Sequence, residues 1–242
     1  MAPVVPLFAE AVRTEAHVVA FYVGGSLALG DYRPGRSDLD LAAVIARPLT
    51  RPERRTLIAL HRRIGAARLH CAYVPRGEIG EVTRPHLAWA HKRMFRRPFS
   101  GIARAELLRG GITLYGPPPA ELIPPISRAA LAEAARVELD GYWRPALRWP
   151  RRWRTDLHVD LGLTTLSRAD ATITEGRLLT KSEAIARLPS LGVPEALAAE
   201  IAARRAGEQV TLSDPERRRR GALVRRLMRD GIARLDQAAE RA

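Results

Sequence analysis

Cysteine occurs once in the 242 residues, at Cys71. A single thiol excludes an intrachain disulfide framework and a cysteine-rich zinc site. Apolar runs stop at about ten residues, with Leu39 to Ala46 among the longest, so no membrane span is expected. Met1 to Glu10 lacks the basic segment that opens a secretory signal, and the expected compartment is the cytoplasm. Glycine and proline, at 18 each, fall short of a fibrous or low-complexity chain. Lysine is nearly missing: only Lys92 and Lys181 occur, and the other 38 of the 40 basic residues are arginine. What is present is ordinary globular composition, 46% hydrophobic and 27% charged, which excludes a wholly disordered chain.

The formal net charge is +14. Arginine codons are favoured in a GC-rich genome, which is the plain explanation of the arginine count. Affinity for polyanions, either nucleotide phosphates or nucleic acid, is the functional one. Either way, the positive field repels cationic small molecules at long range.

No internal repeat is visible. Val18 to Val23 is short and β-branched, and Gly24-Gly25-Ser26 follows it. Leu39 to Ala46 is a second strand candidate. Pro52 to Arg68 places Leu57, Leu60 and Ile64 on one helical face. Leu69 to Val74 is strand-like again and is closed by Pro75. Strand, turn, strand, helix, strand reads as a small mixed α/β unit. Pro85 to Gly111 reads as helical in parts, broken at Pro98, and Thr113 to Tyr115 as a short strand. Gly116 to Pro119, with Pro124-Pro125, reads as a linker. Beyond it, Ser127 to Leu139, Leu157 to Thr174, Ser182 to Leu188, Pro194 to Arg205 and a last segment to about Ala239 carry helical periodicity and caps. The expected fold class is therefore α+β: a mixed-sheet domain over 1–120 and an all-helical bundle over 121–242.

Chemistry concentrates in Phe21-Tyr22-Val23-Gly24-Gly25-Ser26 and in Ser37-Asp38-Leu39-Asp40-Leu41. A strand runs into a tight Gly-Gly turn and a serine that opens a helix, whose free N–H groups favour phosphate. Asp38 and Asp40 alternate at a strand start, so period two puts both carboxylates on one face. Paired hard oxygen donors beside a phosphate cradle suit Mg²⁺. Singly, Gly-Gly-Ser is often only a turn, and Asp-x-Asp only a solvated strand end. In this order, with Ser26 and Asp38 twelve residues apart between strands, they are specific.

The combination resembles the signature of the nucleotidyltransferase superfamily, Gly-Ser followed by Asp-x-Asp. Thr165-Leu166-Ser167-Arg168 and Thr174 to Ala184 also look like the helical domain of the aminoglycoside (3″)-type adenylyltransferases, which act on streptomycin and spectinomycin. The likeness covers roughly residues 20–75 and 105–190. It implies ATP and Mg²⁺ as cofactors, transfer of AMP to a small-molecule hydroxyl, and a role in antibiotic resistance. By position, Gly25 and Ser26 would hold the triphosphate, Asp38 and Asp40 the metal, and Ser37 would lie near the phosphates.

The resemblance also implies a third carboxylate on the strand Leu69-His70-Cys71-Ala72-Tyr73-Val74, and here that position is His70. His70 is a base for the acceptor hydroxyl, or a metal ligand, or the mark of a degenerate nucleotide-binding or RNA-interacting module with little transfer. A polar residue at a strand edge is the plain alternative. Glu78 and Glu81 would substitute only if their loop folded back.

Asp156 and Asp160 begin the long helix and are acceptor candidates, since carboxylates suit an ammonium group. A solvated first turn is the plain reading. Lys181 is a candidate for nucleotide phosphates or a surface lysine at a helix start. Trp143, Trp149 and Trp153 form either a stacking wall or a hydrophobic seam. Arg217 to Arg220, with Arg225, Arg226 and Arg229, make a basic stripe that reads as a solvated face; a nucleic-acid surface is the less favoured alternative because aromatics are not interleaved there. The expected partners are thus a nucleotide and a small-molecule acceptor, and no membrane.

Overall fold

Valine, phenylalanine and tyrosine favour an extended backbone, and Val18–Val23 forms β1 in the computed structural model, which describes residues 3–240. Leu39–Ile45 forms β2, Leu69–Pro75 β3, Pro85–Ala90 β4, Arg93–Pro98 β5 and Ile112–Tyr115 β6. They build one mixed sheet in the order β5-β4-β3-β2-β1-β6. Only β2 and β3 pair in parallel, and a parallel pair needs a crossover. The helix α3 (Arg51–Ile64) supplies it; α1 (Val4–Glu15) and the single turn α2 (Gly25–Ala28) precede it. A Thr50–Glu53 capping box starts α3 and Gly65, at φ 63°, ends it.

Both faces of the sheet are covered, which is why β2 reads as a continuous apolar run. Phe21, Leu41, Ile45, Cys71 and Tyr73 pack with Phe8 and Val12 of α1 and Leu57 and Leu60 of α3. On the other face Ala20, Tyr22, Ala42, Val44, Ala72 and Val74 meet Ile79, Phe99, Leu107 and Ile123. Leu107 belongs to α4 (Gly101–Gly110).

Two expectations change. Pro85 to Gly111 is helical only in α4; its first half is the β4–β5 hairpin, running from the Pro85–Pro98 pair to the Ala90–Arg93 pair. The turn between the strands is His91-Lys92, both at positive φ. Such turns usually announce themselves as Asn-Gly, and without that signal the hairpin is hidden in the sequence. The proline-rich stretch is also more than a linker. It holds a short helix, α5 (Pro119–Leu122); the Tyr22 hydroxyl donates to the Pro117 carbonyl at 2.7 Å, and Ile123 is buried in the sheet's second core.

The chain divides into two units, one ending at Ile126 and one beginning at Ser127. The second is helical: α6 (Arg128–Glu138), α7 (Arg144–Ala146), α8 (Asp156–Glu175), α9 (Lys181–Arg187), α10 (Glu195–Ala206) and α11 (Asp214–Glu240). Ser127, Thr155 and Thr180 cap α6, α8 and α9 through their side chains. The long helix α8 is the hub, packed by α6, α9 and α11. Trp143 and Trp153 are buried in this unit's core, and Trp149 is 59% exposed, so the three do not form one wall. A Cβ on Gly162 would lie 2.8 Å from the Trp153 ring, and the missing side chain lets α8 receive that indole. Among the described residues no helix is long and apolar enough to cross a membrane.

Candidate active site

Parallel pairing of β2 with β3 sets Asp40 opposite His70. Residues in register on adjacent strands point to the same face. The His70 Nδ1 lies 3.6 Å from the Asp40 Oδ1. The imidazole is only a tenth exposed, whereas the Asp40 side chain is nearly half exposed. Just before the two strands begin, Arg68 comes beside Asp38, with 3.4 Å between Nη1 and Oδ1. The Arg68 guanidinium also donates to the Arg36 carbonyl at 2.8 Å. His70 thus reaches Asp40, and Asp38 is paired with an arginine that sequence reasoning passed over. The signal for Arg68 was its offset of two from His70, equal to that of Asp38 from Asp40.

The glycine turn closes against the same carboxylate. Gly24 N–H donates to the Asp40 carbonyl at 2.7 Å. Gly25 has φ +58°, and a Cβ there would come within 2.3 Å of the Asp40 Oδ2. Only glycine fits both demands. The helix that Ser26 was expected to open is one turn long, so little macrodipole develops. What the turn offers is the amides of Gly25, Ser26 and Leu27, which have no acceptor inside so short a helix. Ser37 is buried, and its hydroxyl accepts from the Arg33 N–H at 3.0 Å. It ties the loop before Asp38 into place.

Glu78 and Glu81 are occupied elsewhere. Glu78 lies 3.0 Å from Arg84 and 3.4 Å from the His86 Nδ1; Glu81 lies 3.6 Å from Arg84. The tip of the β4–β5 hairpin, by contrast, does reach the site. The His91 ring stands 5.1 Å from the His70 ring, centroid to centroid, with the planes at 66°. Holding His91 and Lys92 at φ 51° and 60° costs about 1–3 kcal/mol per residue. Nothing in the sequence pattern pointed to His91, because its approach depends on the hairpin.

The second unit holds the remaining candidates. Asp156 and Asp160 lie one turn apart on α8 and are engaged by arginines. Arg220 donates to the Asp156 Oδ1 at 2.7 Å. Arg204 donates through Nε to the Asp160 Oδ2 at 2.9 Å. Glu200 bonds both arginines. Burial pushes the Asp160 carboxyl up from its ordinary value, against the pull of Arg204. Lys181 is the first residue of α9, partly exposed, inside the Thr180–Glu183 capping box.

Asp38 and Asp40 supply hard oxygen donors, partly exposed, beside a cradle that a Cβ would fill. That set suits a magnesium ion, which binds through one or two carboxylates and completes its shell with phosphate oxygens and water. Among the described residues no three His, Cys, Asp or Glu side chains cluster as a metal site made of protein groups alone.

Residues 5–95 match the family model of the nucleotidyltransferase domain. No curated protein matches the chain. Among solved structures, the chain is similar to the crystal structure of spectinomycin adenyltransferase AAD(9) from Enterococcus faecialis with ATP and spectinomycin. The TM-score is 0.71 at 16% identity, over 93% of this chain and 98% of that one. The two share a fold: a mixed-sheet nucleotidyltransferase architecture followed by a helical region.

Proposed function

We propose that the protein transfers a nucleotidyl group, AMP from Mg-ATP, to a hydroxyl of a small molecule. The observation that carries this reading is the packing of Gly25 and His70 around the Asp40 carboxylate. In this reading the Gly25 and Ser26 amides receive triphosphate oxygens, because backbone N–H groups bind anions without a cationic side chain. Asp38 and Asp40 would hold a magnesium ion, whose charge would offset the repulsion between the carboxylates and the triphosphate. His70 is assigned the proton that the acceptor hydroxyl gives up as its oxygen bonds to the α-phosphorus and the bond to pyrophosphate breaks. The Asp40 carboxylate lies 3.6 Å from the Nδ1 of that imidazole. Lys181 is assigned to nucleotide phosphates on the strength of the resemblance alone.

The acceptor is a hydroxyl compound, and an aminoglycoside is one candidate given the fold shared with the spectinomycin enzyme. Asp156 and Asp160 do not by themselves favour a cation, since Arg204 and Arg220 already answer their charge. A second reading, a nucleotide-binding module with little transfer, draws on the imidazole in place of a third carboxylate.

Pyrophosphate release from Mg-ATP over a panel of hydroxyl acceptors separates the two. Transfer by the wild type that collapses in His70→Ala and survives in His70→Glu is the expected result. Transfer by His70→Glu with none by the wild type gives the binding-module reading. Equal rates in all three remove His70 from the reaction.

A further inference from the structure

Among the described residues, His91 and Lys92 are the non-glycine residues held at positive φ, and they are consecutive. They form the two-residue turn between β4 and β5, bounded by the Ala90–Arg93 pair. Asparagine and glycine fill such a turn at least cost. The chain instead places an imidazole and a long amine there, both exposed. Backbone strain of this kind persists where a side chain is needed in one place.

For His91 the structure shows what that place is. Strand β4 pairs with β3 through Cys71–Trp89, so the turn lies just past the paired ladder, over the start of β3. There the His91 ring meets the His70 ring edge to face, centroids 5.1 Å apart. His70 is consequently held between two groups: the Asp40 carboxylate, 3.6 Å from its Nδ1, and the His91 ring. A turn built from Asn-Gly would leave the second support out. Lys92 has no such contact and serves as the turn's second residue.

We propose that His91 is a positioning residue: the strained hairpin turn exists to stand its imidazole against His70 and keep that ring directed at Asp40. This rests on His70 taking the acceptor's proton. A ring left free to rotate is misplaced by an ångström or more, and misplacement of that size costs a large share of the rate.

The test compares His91→Asn, His91→Phe and Lys92→Gly in the full chain. His91→Asn relaxes the turn and removes the ring, so its melting temperature should rise by a few degrees while kcat falls roughly tenfold to a hundredfold. Its KM for ATP should stay near the wild-type value. His91→Phe keeps a ring and the strain, and should recover most of kcat. Lys92→Gly relaxes the turn and keeps His91, so it should gain stability without losing rate. Nuclear Overhauser contacts from the His70 ring to the Asp40 side chain, read by NMR without substrate, should weaken in His91→Asn and stay in Lys92→Gly. Unchanged contacts in His91→Asn, or undiminished kcat in that variant, overturn the proposal. A wild-type chain that transfers nothing sinks the transferase reading instead, and the contacts, which lost ring current does not alter, then decide the positioning role.

Discussion

Two aspartate pairs, one in each unit, are equally regular in sequence and end in opposite states. Asp38 and Asp40 are two apart at a strand start; Asp156 and Asp160 are four apart at a helix start. Each spacing brings its carboxylates to one face of the element. Around the first pair the fold sets a glycine turn, one exposed arginine and an imidazole, and the Asp40 side chain is nearly half exposed. Around the second it sets Arg204 and Arg220, both almost fully buried, with Glu200 bonding the two of them. The difference teaches that spacing decides where charges point, and that the packing against them decides whether they can still take a ligand.

The largest effect should come from breaking the closed pair. Arg204→Met leaves Asp160 and Glu200 short of their shared partner in a half-buried place. Losing one side of such a network costs about 3–5 kcal/mol. Urea unfolding followed by helical circular dichroism should show that loss, with Mg-ATP affinity unchanged. Full stability in that variant would mean the aspartates are less committed to arginine than the geometry indicates, and would return them to acceptor binding.

The open pair should behave the other way. Asp38→Ala with Asp40→Ala should weaken Mg-ATP binding, measured by calorimetry, by more than roughly 100-fold, or about 2.8 kcal/mol. Two carboxylates and a triphosphate repel unless a cation bridges them. Stability should stay within about 0.5 kcal/mol, because neither side chain is buried. A double variant that keeps metal-dependent binding would place the nucleotide elsewhere.

A smaller effect sharpens the contrast within the first unit, between its partly open edge and its closed interior. His61 is buried, its Nε2 lies 2.8 Å from the Tyr73 hydroxyl, and its ring is stacked on Trp89. Burial lowers its pKa to about 3. The unfolded chain takes up a proton near pH 6.5 and the folded chain does not, so this contribution is whole above pH 6.5 and is lost as pH falls toward 3. Between pH 6.5 and 5 the loss is about 2 kcal/mol. Thermal unfolding across that range should show a decline that His61→Gln flattens. A decline of equal slope in His61→Gln would assign acid sensitivity to other groups.

Much of the fold was legible because its signals are local. β-branched runs marked β1, β2 and β3, apolar spacing marked α3, and the Ser127 cap with apolar spacing marked α6, while the Thr50 and Thr180 caps came only with the structure. The β4–β5 hairpin was not legible, since His91-Lys92 is a poor turn sequence that only its surroundings hold in shape. The docking of Ile123 was hidden for a related reason: a proline-rich stretch reads as linker until a core is there to receive it. At the site, the Gly-Gly-Ser and Asp-x-Asp spacing was readable from the chain. The pairing of Asp38 with Arg68 and the approach of His91 were not.

By itself the sequence determined most of the elements, their α+β succession, and the tight glycine turn that follows β1. Those follow from interactions a few residues long, in which the spacing of side chains along one strand or helix decides the outcome. The tertiary structure decided which charges stay available. Asp40 stays half open because the residue packed against it is Gly25, which has no side chain, and Asp160 is closed because Arg204 folds back from forty-four residues away. A charge's availability depends on the dielectric and the partners around it, and both are set by chain segments remote in sequence.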